Sequence, residues 1–177
     1  MSSTATANPT RFLELESLIA AAAILVVSLA EFTLIFTTAK HGFDFTDEGY
    51  YLNWFSYPYL YKESASQFGF LYHPIFQAVG SDVCVFRRLN ALAIMLVALT
   101  FSITLIRTTH SSAAYSPFLL FSLAAGMALS AFLQLQWLLL TPSYNWLNET
   151  GILIFLIGAL GLASGVLRLL PGLPRLR

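Results

Sequence analysis

The 177-residue chain is 57% hydrophobic and only 10% charged, whereas a soluble domain carries about a quarter charged residues. Nine Lys and Arg balance nine Asp and Glu, so no net field draws in a polyanion, and nucleic-acid binding has no support. The single cysteine, Cys84, can form neither an internal disulfide nor a zinc site by itself. The apolar residues are gathered into long runs, the pattern of an all-α polytopic membrane protein. About four transmembrane helices and one long external loop are predicted.

After a tail over residues 1–17, the first run is 18–39, about 22 residues broken only by Glu31, enough to cross roughly 30 Å of hydrocarbon. No small-x-small site followed by polar chain stands behind it, so it reads as a retained span rather than a signal peptide. A charged Glu31 would cost roughly 2.5–3.5 kcal/mol at the bilayer centre. It is therefore expected to face the bundle, with Gln134 or Gln136 as structural partner, or to serve a donor pathway.

Residues 40–82 form the external loop. Thr46 can cap a short helix with Asp47 and Glu48 in its first turn, continuing through Tyr50, Tyr51, Trp54 and Phe55 until Pro58. Aromatic density of this kind suits the headgroup level, so the helix is expected to lie on the membrane surface. A second interfacial helix is predicted from Pro74, just after His73, to Gly80, with Ser81 or Asp82 capping the next span.

The second span, 83–106, opens with Arg87, Arg88 and Asn90, where long side chains reach the interface. The third, 116–140, and the fourth, 146–170, are joined by the turn Thr141-Pro142-Ser143-Tyr144-Asn145. Gly161 and Gly165 give the fourth a GxxxG face, read as ordinary helix packing. Four spans put both ends of the chain, including the tail 171–177, on one side. Five arginines in short flanks there, against four basic residues spread over the loop side, place both termini in the cytoplasm.

Two readings of Asp47 and Glu48 stand side by side. They complement the helix dipole, worth about 0.3–1 kcal/mol each, or they act as a general base or a divalent-metal ligand at the outer membrane face, where reduced water access raises a carboxylate pKa. Arg87 and Arg88 either anchor the interface or bind a lipid-linked phosphate through paired donors. His41, His73 and His110 show no metal-ligand spacing.

The order of these motifs, Phe43-Asp44-Phe45-Thr46-Asp47-Glu48-Gly49-Tyr50-Tyr51-Leu52, then Tyr72-His73-Pro74, then Gly80 and Phe86-Arg87-Arg88-Leu89-Asn90, resembles the amino-terminal part of the GT-C membrane glycosyltransferases. Within that group it is most similar to the branch of protein O-mannosyltransferases and lipid A aminoarabinose transferases. The resemblance runs from about Leu18 to Asn148. It implies transfer of a sugar from a polyprenyl-phosphate donor on the outer face of a bacterial cytoplasmic membrane, with Asp47 as catalytic base or metal-associated acid and Glu48 beside it. His73, Arg87, Arg88, Tyr144 and Asn145 are the implied substrate-binding residues, and membrane lipid and a polyprenyl-linked sugar the implied partners. The family's second acidic loop residue has only Glu149, or a neighbouring Asn, as its match here. Members also have many more spans, so the resemblance is to an amino-terminal portion. The alternative is a non-catalytic four-span protein that assists lipid-linked sugar translocation or stabilises a partner enzyme.

Overall fold

The computed structural model describes residues 9–42, 47–64, 66–109, 115–132 and 140–169. These form six α-helices and one 3₁₀ turn: α1 (Pro9–Thr38), α2 (Asp47–Ser56), η1 (Pro58–Tyr61), α3 (Phe68–Ala78), α4 (Val83–Thr109), α5 (Pro117–Ser130) and α6 (Tyr144–Leu169). Three of them, α1, α4 and α6, are long and apolar enough to cross a membrane.

The long helices pack up and down. α4 lies between α5 and α6, and α1 packs along α5. The end of α1, the start of α4, the end of α5 and the start of α6 meet at one end, where Phe32 and Ile35 pack against Ala91, Ile94, Leu129, Phe132 and Trp146. α1 and α5 come close: a Cβ added at Gly126 would sit 2.8 Å from Ile24 Cγ2. The outward sides stay apolar and uncovered, as at Val26, Leu34, Phe155 and Leu162.

α5 makes up the first part of the expected third span, 116–140. It covers 14 residues, about 21 Å at 1.5 Å per residue, short of a roughly 30 Å hydrocarbon core. Its start is as the sequence reads, with Ser116 accepting from the Leu119 amide at 3.2 Å and Pro117 in the first turn. At its end Ala131 and Phe132 donate to carbonyls three residues back rather than four, which tightens the last described turn. Residues 133–139, with Gln134 and Gln136, lie outside the described residues, as do Asp44, Thr46 and His110.

The segment between α1 and α4 also differs from expectation. α2 begins and ends as its sequence predicts, but it does not offer its aromatic face to lipid. Tyr51, Trp54 and Phe55 are buried with Phe68, Phe76 and Phe86, so α2 packs on α3 and on the head of α4. Buried Glu48, Tyr51, Trp54 and Phe55 share one face because they recur at helical spacing. α3 starts at Phe68, six residues before Pro74, and carries that proline inside it. The ring of Phe68 packs edge-on against Tyr51, Trp54 and Phe55, and this burial outweighs the one amide donor a helical proline removes. Gly80, at φ +68°, turns the chain out of α3. Asp82 then caps α4 by accepting from the Val85 amide at 3.0 Å.

Candidate functional site

The α2 segment is fastened to the bundle through Arg87, buried in the second turn of α4. Its Nε donates to Glu48 Oε1 and to Thr141 Oγ1, both at 2.9 Å. Nη1 donates to the carbonyls of Ala39 (2.9 Å) and His41 (3.3 Å). Nη2 donates to Gly42 O at 2.9 Å and also to Glu48 Oε1. The Thr141 hydroxyl donates to the same carboxylate oxygen. Gly42 takes φ +76°, a left-handed turn open to glycine, which brings the carbonyls after α1 onto one guanidinium. An arginine fits this place because its planar fork offers five donors in fixed directions and never loses its charge.

Asp47 and Glu48 thus have different surroundings. Glu48 is fully buried and ion-paired with Arg87; Asp47 is exposed in the first turn of α2. Tyr51 lies one turn on from Asp47, and its ring meets that of Tyr144 at 6.2 Å between centroids. Burial pushes the Tyr51 hydroxyl up to about 12, and the nearby Tyr144 and Asp47, with a hydrogen bond to Tyr144, push the same way. Asp47, Tyr51 and Tyr144 therefore form one patch, with Tyr144 about half exposed and Phe68 beside it. Asn145 follows in the first turn of α6, partly buried.

The other expected residues lie elsewhere. His73 Nδ1 contacts the Phe55 carbonyl; a carbonyl only accepts, so Nδ1 carries the proton and the ring caps the last turn of α2. His73 is tied to the end of α2 opposite Asp47. Arg88 donates from Nε to Phe36 O at 3.1 Å and lies 5.0 Å from the Phe36 ring centroid, while its Nη groups make no hydrogen bond among the described residues. Glu149 is partly buried in the second turn of α6. Among the described residues no three His, Cys, Asp or Glu side chains converge as a metal site, and the Glu48 carboxylate faces a guanidinium, which repels a cation. The two adjacent carboxylates do not fit a shared divalent metal.

Sequence reasoning missed Thr141 and Tyr51. Tyr51 had a signal in its i, i+4 spacing from Asp47. Thr141 had none, since a turn between apolar runs reads as solvated, yet Thr141, Pro142 and Ser143 are all buried.

No family model, curated protein or solved structure matches the chain.

Proposed function

We propose that this chain is an integral membrane protein of GT-C type, transferring a sugar from a polyprenyl-phosphate donor to a hydroxyl acceptor on the outer face of a bacterial cytoplasmic membrane. The observation that carries this reading is the division of labour in the Asp-Glu pair. Glu48 is locked on Arg87, which holds α2 in place, and Asp47 is left exposed beside Tyr51 and Tyr144 at one end of the helix bundle. A fixed, solvent-facing carboxylate next to aromatic rings suits general-base chemistry on a sugar or hydroxyl acceptor.

In this reading α5 and the residues after it complete a fourth span, the segment 40–82 faces outward and both termini are cytoplasmic. Asp47 takes the proton of the acceptor hydroxyl as its oxygen bonds to the anomeric carbon. The bond from that carbon to the phosphate oxygen breaks, and polyprenyl phosphate leaves. Arg88, with its Nη groups unengaged at the same end of the bundle, is the candidate phosphate contact. Arg87 acts as a positioning residue, since its donors are directed to Glu48, Thr141 and the carbonyls after α1.

The test is transfer of labelled hexose or pentose from polyprenyl phosphate by membranes containing the protein. Asp47→Asn should lower transfer by about 10²- to 10⁴-fold with normal insertion, while Asp44→Asn should change it little. A variant that keeps more than about a tenth of the rate removes Asp47 as base. No transfer by the wild-type protein from either donor class would favour the non-catalytic alternative.

A further inference from the structure

A groove of about 380 Å³ runs between α1 and α5, lined by Ala23, Val27, Ser28, Glu31, Gly126 and Ser130 among others. Two of its polar groups lack partners among the described residues. Ser28 is 5% exposed and its hydroxyl makes no hydrogen bond. Elsewhere in the same helix Thr33, Thr37 and Thr38 each donate to the carbonyl four residues back, so Ser28 is the exception. Glu31, one turn further along, makes no hydrogen bond or ion pair among the described residues. It sits about 12 Å below Ala39 along the helix, at hydrocarbon depth if α1 crosses a membrane. A carboxyl and a hydroxyl left unsatisfied at that depth are costly, and such groups mark contacts with other polar groups.

We propose that the α1–α5 groove is a docking site within the membrane for a transmembrane helix carrying one basic side chain at the depth of Glu31. The lining supports close approach, because Ala23, Ser28, Gly126 and Ser130 are small. Charge complementarity selects the occupant. An isoprenoid or acyl chain would leave Glu31 and Ser28 unsatisfied, and a lipid headgroup amine stays at the interface. A second copy of this chain brings no described cation to that depth: Arg87 and Arg88 sit level with Ala39 and Phe36, about 12 and 7 Å above Glu31 along the helix direction, and Arg107 lies 19 residues beyond Arg88 along α4, about 28 Å away. The inference rests on α1 crossing a membrane and is independent of sugar transfer.

The probe is a synthetic Leu–Ala transmembrane helix with one Lys placed about 12 Å inside one end, compared with the same helix carrying Leu there. Binding is read by energy transfer to the full chain in phosphatidylcholine vesicles, with carbonate extraction confirming insertion. The Lys helix should bind roughly 3- to 30-fold more tightly than the Leu helix, the range of interhelical polar contacts. Glu31→Leu should abolish that difference, and Ser28→Ala should reduce it. Should Glu31→Leu misassemble, Glu31→Gln, which keeps the shape and removes the charge, should reduce it instead. Equal binding of the two helices overturns the proposal, as does a preference that survives both Glu31 variants. Self-pairing of the wild-type chain without the probe, lost in Glu31→Gln, would assign the groove to a second copy and equally overturn it.

Discussion

Arg87→Met is the most informative single change, because it removes every bond of the guanidinium while keeping an unbranched apolar stem in α4. It leaves the Glu48 carboxylate fully buried and stripped of its counter-charge, and it strips the Ala39, His41 and Gly42 carbonyls of a donor. Removing one partner of a buried ion pair costs about 3–5 kcal/mol, which is roughly two to nearly four powers of ten in the equilibrium between closed and open forms. The assay is amide hydrogen exchange across α2 in detergent micelles or nanodiscs, where protection should fall by about that factor. Glu48→Met combined with Arg87→Met removes both charges, and should recover at least half of the loss, because two apolar side chains leave no buried ion. Protection within about fivefold of wild type in Arg87→Met, or a double variant no better than the single one, would refute the claim that the ion pair holds α2.

Thr141→Val keeps the shape but removes the hydroxyl between Glu48 and Arg87, and should cost about 1–3 kcal/mol in thermal stability of the detergent-solubilised protein. Gly69→Ala should destabilise by about 1–3 kcal/mol despite the better helix former, since the new Cβ would lie 2.1 Å from Trp54 Cδ1 in a filled aromatic cluster; unchanged stability would show that Trp54 swings aside freely. Burial raises both Tyr51 and Tyr72 to about 12. The folded state therefore holds these protons more tightly than the unfolded one, so their contribution to stability is complete below pH 10 and is lost as pH rises through 12. Ultraviolet titration of the tyrosines, compared between wild type and Tyr51→Phe, should show a late-ionising group disappear. Trp54→Asp should expose the α2 segment to protease far more than Asn53→Asp, because Trp54 is buried while Asn53 is exposed and donates to the Tyr61 hydroxyl.

Local chemistry in the sequence located most helix boundaries. Asp82 starts α4 where the capping rules put it, the third apolar run opens at its expected Ser116, and Pro58 ends α2. What the sequence did not disclose was what each face meets. An aromatic helix beside a membrane looks the same whether its rings face headgroups or other rings, and here Phe68, Phe76 and Phe86 supply a protein surface that hides Tyr51, Trp54 and Phe55. Proline suits a helix's first turn, which places a start at Pro74; the helix instead runs through it, since the packing of Phe68 lies upstream. The candidate site was half legible for the same reason. Asp47 and Glu48 are neighbours in the chain and both polar, yet the helix turn between them sends one to solvent and one to a guanidinium 39 residues later. The long-range partner, not the residue type, decides which carboxylate remains accessible.

That partner also imposes an order on synthesis. Glu48 leaves the ribosome 39 residues ahead of Arg87 and 93 ahead of Thr141. Until the turn before α6 has been made, the aromatic segment around α2 has an incomplete anchor, and its carboxylate must keep its water. A nascent chain halted before that turn already holds the aromatic partners Phe68, Phe76 and Phe86, but its Glu48–Arg87 pair lacks the Thr141 hydroxyl that seals it in the folded protein. The latch on α2 therefore closes only once the turn before α6 has been made, however early its two charged members emerge.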